Sequence, residues 1–236
     1  MSKYAFLLIF CLLSLFSKAQ TNQENDFSKL PFRFIGPDGN RAIAVVGEPG
    51  NSLVSYVGAA SGGIYKTTDG GIKWLPVFDS TDNSSIGALA IAAGNPQHIW
   101  AGTGETFLIR PAHANGNGIY KSTDGGKSWK NMGLKETVLI SRVIVDPSDT
   151  NTVYVAALGH SHGPQQERGV YKTTNGGNSW ERILFVDENT GCSDLSINPK
   201  DPKNLVAAMW QVDIKTWNLK SGGPGSGFYK TTEYFF

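Results

Sequence analysis

His160 and His162 stand one residue apart in the stretch GHSHGPQQER (159–168). Alternate residues of an extended chain share a face, so this spacing could hold a divalent metal. No third ligand accompanies the pair, and no metal or other cofactor is assigned. Glu105, Asp187 and Glu188 are carboxylates in connecting stretches. Two such groups across a cleft, about 5–9.5 Å apart, could act as acid and base on a glycosidic bond; the plainer reading is solvated loop carboxylates. Arg110 and Arg168 could clamp a ligand carboxylate bidentately, or form structural ion pairs, Arg168 with Glu167 for instance. His113 shares TGETFLIRPAHANGN (103–117) with Glu105 and Arg110. Trp210 and Trp217, in WQVDIKTWNLKSGGPGSG (210–227), could stack on sugar rings or grip peptide side chains, or pack their loop onto the protein.

The elements that must position these residues repeat. GIYKTTDGGIKW (63–74), GIYKSTDGGKSW (118–129) and GVYKTTNGGNSW (169–180) are one phrase written three times, and GFYKTTEYFF (227–236) begins it again, with Glu233 in the acidic place. The pattern is Ser/Thr-x-Asp/Asn-x-Gly-x-x-Trp: Thr67, Asp69, Gly71 and Trp74; Ser122, Asp124, Gly126 and Trp129; Thr173, Asn175, Gly177 and Trp180. Its chemistry suits a tight hairpin. A short Asp or Asn can bond its own turn, glycine supplies positive φ, and the indole plugs the base. Three equivalent copies argue for a structural role.

Each phrase follows a second repeated unit, two apolar runs around a proline turn, at 42–60, 88–105, 142–160 and 194–210. Tyr65, Tyr120, Tyr171 and Tyr229 mark steps of 55, 51 and 58 residues. A period near 50 with four short strands per unit is the blade of a β-propeller. Helical repeats are excluded, because Val, Ile, Tyr and Trp dominate the runs and Gly or Pro punctuates them. The expected fold is all-β, an incomplete propeller of about three and three-quarter four-stranded antiparallel blades. They lie at about 42–78, 86–132, 140–185 and 192–236, after an extended segment at 20–41.

The chain has 236 residues, 21 basic and 20 acidic, and no basic stripe, which gives no sign of nucleic-acid binding. Lys3, the apolar run 4–16 and the small residues around Ala19 predict a signal peptide over 1–19 and hence export. Its removal would take Cys11 and leave Cys192 without an internal disulfide partner. After cleavage no apolar run is long enough for a transmembrane helix.

The repeated phrase is similar to the Asp-box, or bacterial neuraminidase repeat, of sialidases, sortilins and two-propeller xyloglucan-cleaving endoglucanases. FRFIGPDGN, VYVAALGH, VDENTG, AAMWQ and SGGPGSGFYKTT extend the likeness. Together they resemble large secreted bacterial proteins described as sortilin N-terminal-like or glycosyl-hydrolase-like. The resemblance implies that the box is a structural hairpin between the third and fourth strands of a blade. Blade connectivity puts loops between strands two and three, and between blades, on one face, where propellers hold ligands. That face collects Glu105, Arg110, His113, His160, His162, Glu167, Arg168, Asp187, Glu188, Trp210 and Trp217. A module binding a peptide, glycan or protein there is the first expectation. A glycoside hydrolase of which this is an N-terminal part is the second, and a cell-envelope assembly role the third.

Overall fold

The computed structural model describes residue 31, residues 34–37, 41–107 and 113–231. The chain divides into two compact units, Met1–Phe34 and Ile35–Phe236; everything below concerns the second. The signal peptide, Arg110 and Glu233 lie outside the described residues.

The second unit is all-β, a propeller fold of four antiparallel sheets, each of four strands. Blade one is β1 (Ala42–Glu48), β2 (Asn51–Ala59), β3 (Ile64–Thr67) and β4 (Leu75–Pro76). Blade two is β5 (Ile86–Ala92), β6 (Asn95–Thr103), β7 (Ile119–Ser122) and β8 (Lys130–Asn131). Blade three is β9 (Ile140–Val145), β10 (Val153–Ala157), β11 (Gly169–Thr173) and β12 (Glu181–Leu184). In all three, strands pair in sequence order. The fourth sheet is β13 (Thr190–Ile197), β14 (Leu205–Lys215), β15 (Asn218–Ser221) and β16 (Gly227–Lys230).

Blade four departs from the expected order. β16 pairs with β14 over Val206–Met209, the place of a third blade strand, while β15 pairs with the far end of β14 over Val212–Lys215. The stretch read from sequence as a loop is therefore a hairpin extending from the blade. Alternation makes it one. Val212 and Ile214 point the same way and are buried with Leu139 and Leu158.

Side chains between successive sheets form the core. Val54, Tyr56, Ile64 and Phe78 of blade one meet Ile86, Ile91, Ile99, Ala101 and Tyr120 of blade two. Ala88, Trp100 and Ile119 of blade two meet Ile140, Val143, Val153 and Val155 of blade three. Tyr154, Ala156 and Val170 of blade three meet Cys192, Leu195, Leu205, Ala207 and Met209 of blade four. Each strand thus alternates its side chains between a preceding and a following blade, which is why both faces of a blade read as apolar.

The repeated turns tie the outer edges. In each, the hydroxyl of Thr67, Ser122 or Thr173 accepts the amide of Gly71, Gly126 or Gly177 at 2.9, 2.9 and 3.0 Å. It also donates to Asp69, Asp124 or Asn175 at 2.9, 2.8 and 2.9 Å. The acidic or amide oxygen in turn accepts the amides of Lys73, Ser128 and Ser179. The amide of Lys73 holds the Asp69 carboxyl below its ordinary pKa, and the Ser128 hydroxyl and amide do the same for Asp124.

Candidate functional site

The loops between second and third strands and the segments between blades are knitted together on one side of the sheets. Blade one contributes little, because β2 turns into β3 within residues 60–63. At blade two, Glu105 and Ala114 bond across the base of the loop, amide to carbonyl at 2.8 Å, and the Gly116 amide reaches Val138 O at 2.8 Å. Glu105 is fully buried, and its carboxylate accepts the Arg41 guanidinium. Glu105, expected on the ligand face, is thus held inside the fold. A carboxylate closed off from solvent and bound by an arginine in front of β1 ties blade one to blade two. Arg41 went unnoticed as a partner; its place just before the first apolar run was the available signal. His113 is half-buried beside this closure.

Arg168 is likewise fully buried. It donates to the carbonyls of Leu158 at 2.7 Å, His160 at 2.7 Å and Gly163 at 3.1 Å. Its guanidinium thus pairs with backbone oxygens of its own loop. Three carbonyls on one guanidinium fork hold the shape of the loop 158–168. Glu167 is half-buried, and its carbonyl accepts the Tyr171 hydroxyl at 3.1 Å.

The two histidines part company. The carbonyl of His160 accepts the buried Arg168, and burial followed by the arginine charge lowers the imidazole's pKa. His162 donates its Nδ1–H to Ile214 O on the hairpin, which fixes its tautomer and removes that nitrogen as a ligand. Among the described residues no group of three or more His, Cys, Asp or Glu could hold a metal ion.

The blade-three loop and the β14–β15 hairpin are joined. The Ile214 amide donates to Ser161 O at 2.9 Å, and the Gly163 amide to Asp213 Oδ1 at 3.3 Å. That amide, followed by Lys215 at 3.4 Å, lowers the Asp213 pKa. Gln165 ties in the inter-blade segments, its amide donating to Glu188 O at 2.7 Å and its side chain to Glu136 O. Glu188 is exposed and accepts Gln166 Nε2 at 3.2 Å; Asp187 is half-buried and accepts the Asn189 amide at 2.8 Å.

The two hairpin tryptophans differ. Trp210 is half-buried on the cluster of Leu139, Leu158, Val212 and Ile214, and donates to Ser221 Oγ at 3.1 Å. Trp217 stands at the hairpin tip, 83% exposed. The structure thus brings His162, Asp213, Trp210 and Trp217 to one hairpin, with Asp187 and Glu188 on the adjoining segment. It leaves Glu105 and Arg168 as internal struts.

Fold and site together define a propeller whose blade-edge loops form one platform, with an exposed indole mounted on a braced hairpin. No family model matches the chain. A probable oligoxyloglucan-reducing end-specific xyloglucanase of Neosartorya fischeri is 30% identical over 140 residues, 58% of this chain and 16% of the relative. A xyloglucanase of a Paenibacillus species is 23% identical over 217 residues, 82% of this chain and 21% of the relative. The crystal structure of an ancestral GH74 enzyme matches with a TM-score of 0.56 at 29% identity, over 76% of this chain and 23% of its own. The fold is thus a GH74-like propeller, and the chain spans about a fifth of the length of these curated relatives. Among the described residues no helix is long and apolar enough to cross a membrane.

Proposed function

We propose that this chain is the substrate-holding propeller portion of an exported glycoside hydrolase directed at xyloglucan-type β-glucan. The observation that carries the reading is the 30% identity over 140 residues with a xyloglucanase. It is preferred over the peptide- or protein-binding module that the sequence alone favoured, because the relatives point to a glycan. The hairpin supplies a mode of contact. Trp217 offers an exposed flat face, and the hairpin below it is braced by Val212 and Ile214 against Leu139 and Leu158. A preorganised indole suits stacking on a pyranose ring, since little freedom is lost on binding. Asp187, Glu188 and Asp213 are among the carboxylates on this side with solvent access. Export follows from the leader read in residues 1–19.

Electrophoresis through gels containing xyloglucan, paired with a reducing-sugar assay, tests this. The chain should be retarded, and Trp217→Ala should lose at least tenfold in affinity, about 1.4 kcal/mol, without a change in melting temperature. The absence of both retardation and sugar release with xyloglucan would defeat the reading.

A further inference from the structure

In the first three blades the turns between third and fourth strands stand at the opposite end of the antiparallel sheet from the loop platform. Between the turns of blades two and three lies a cleft of about 380 Å3, inside the roughly 300–1,000 Å3 range of small-ligand sites. Thr123, Ser128, Trp129 and Lys130 form the blade-two wall, and Asn151 and Asn178 face them from blade three.

The frame of the cleft is set without a ligand. Lys121 Nζ, over the Trp100 ring at 4.9 Å, donates to Gly176 O at 3.3 Å. Met132, also in the lining, accepts the Trp180 indole N–H on its carbonyl at 2.8 Å, and Trp180 is seated edge-on against Trp100 at 6.1 Å. Trp129 is held by its own N–H on Val77 O at 2.7 Å and by the edge of Phe78 at 5.1 Å. Gly176 keeps the space between the walls open: a Cβ there would meet Lys121 Nζ at 3.2 Å and Asn151 Oδ1 at 3.3 Å. A frame fixed in this way loses little freedom on binding.

The groups that face the space are neutral and polar beside one indole. Asn151 spends its backbone, the amide on Asp149 Oδ1 and the carbonyl on the Gly176 amide, and leaves its exposed carboxamide to solvent. Asn178 donates Nδ2 to Asn175 O at 2.8 Å, and its Oδ1 remains an acceptor. Ser128 Oγ donates to Asp124 Oδ2 at 2.5 Å and keeps its lone pairs. Thr123 adds an exposed hydroxyl.

The same place between blades one and two is charged. Gln97 accepts the Gly125 amide there as Asn151 accepts that of Gly176. By position in the phrase, Asp124 and Lys127 stand where blade three has Asn175 and Asn178, and Lys73 and Leu75 where blade two has Ser128 and Lys130. Carboxylates and ammonium groups must give up tightly held water to cover a neutral ligand, whereas amides and hydroxyls exchange water for ligand hydroxyls at small cost. An anion is poorly served by the blade two–three cleft. Lys121 is committed to Gly176 O, Lys130 is exposed and screened by salt, and the Asp124 carboxylate stands behind Ser128.

We infer that this cleft is a second carbohydrate-binding site. It takes a neutral sugar unit against Trp129 and bonds its hydroxyls to Asn151, Asn178, Thr123 and Ser128. The site is separate from the Trp217 hairpin, and its chemistry does not depend on the xyloglucan reading.

The test titrates the intact chain with glucose, xylose, galactose and cellobiose, followed by amide and indole NMR. At least one sugar should bind saturably with a Kd of about 1–10 mM and shift Asn151, Asn178, Thr123 and the Trp129 indole N–H. Asn151→Ala and Thr123→Val, on opposite walls, should each weaken this binding about fivefold, the worth of one hydrogen bond, at an unchanged melting temperature. The pair Asn175→Asp and Asn178→Lys, which copies the second phrase, should abolish it. Trp217→Ala should leave the cleft shifts intact. The inference is overturned by the absence of saturable cleft shifts with all four sugars, or by equal binding in the wild-type chain and these cleft variants. It is equally overturned if inorganic phosphate binds the cleft more tightly than any of the sugars, since the site would then be an anion site.

Discussion

Replacing Gly177 by alanine probes the indole seat most directly. Gly177 has φ +93°, and an added Cβ would lie 2.8 Å from Trp100 Cη2 and 3.2 Å from Met132 Cε. Trp100 is fully buried, with Trp180 against its edge and Lys121 over its face. It has nowhere to go. The left-handed backbone costs a non-glycine residue about 1–2 kcal/mol, and forcing a methyl group into a filled interface adds about 1–3 kcal/mol. The expected loss is therefore about 2–5 kcal/mol. One residue earlier, Gly176 has φ +68°, and its Cβ would meet Lys121 Nζ at 3.2 Å and Asn151 Oδ1 at 3.3 Å. Both atoms end flexible side chains that can swing aside. Gly176→Ala should therefore cost only the backbone share, about 1–2 kcal/mol. Urea denaturation measures both, as midpoint shifts at an unchanged slope. Losses equal to within about 0.5 kcal/mol would refute the claim that contact with the neighbouring blade, rather than turn geometry, sets the cost.

Ser122→Ala removes the hydroxyl that serves Gly126 and Asp124 and should cost about 1–2 kcal/mol by the same denaturation assay, whereas Asp124→Asn, copying Asn175 of the third phrase, keeps the turn's bonds and should lose at pH 7 only the share that depends on charge. Asp69 and Asp124 have native pKa values below the ordinary 3.8, so the stability they contribute is complete above the unfolded pKa and lost as pH falls through the depressed native values. An acid titration of the melting temperature should therefore decline below about pH 4, and more shallowly in Asp124→Asn. Cys192 is buried and its thiol is pushed up to about 12; a chromogenic disulfide reagent at pH 8 should leave it untouched until denaturant is added. Arg41→Ala deprives the buried Glu105 carboxylate of its guanidinium partner. Arg41 is partly exposed, so the cost should be about 2–3 kcal/mol by urea denaturation, below the range for fully buried pairs.

The all-β propeller class was legible without coordinates, because its signals are local and periodic. Apolar runs of strand length, proline turns and the glycine phrase each act within a few residues, and four copies at similar steps leave few architectures open. The bonding of Thr67, Ser122 and Thr173 into their turns follows from the same short range. The site was less legible. Glu105 and Arg168 look like loop residues in sequence, yet both are fully buried, the first by an arginine 64 positions away and the second by carbonyls that only the folded loop brings together. The hairpin of β14 and β15 reads as a polar, glycine-rich loop, and it forms because Val212 and Ile214 find Leu139 and Leu158 on another blade.

One comparison separates the two contributions. Ile64, Ile119, Val170 and Phe228 hold the same place on the third strand of their sheets, opposite Gly58, Gly102, Ala156 and Ala208. The first three are at most 1% exposed, while Phe228 is 85% exposed. Residue type and register, set by covalent neighbours, come from sequence alone. Whether an apolar side chain becomes core depends on a surface delivered from far along the chain, and only the tertiary structure decides that.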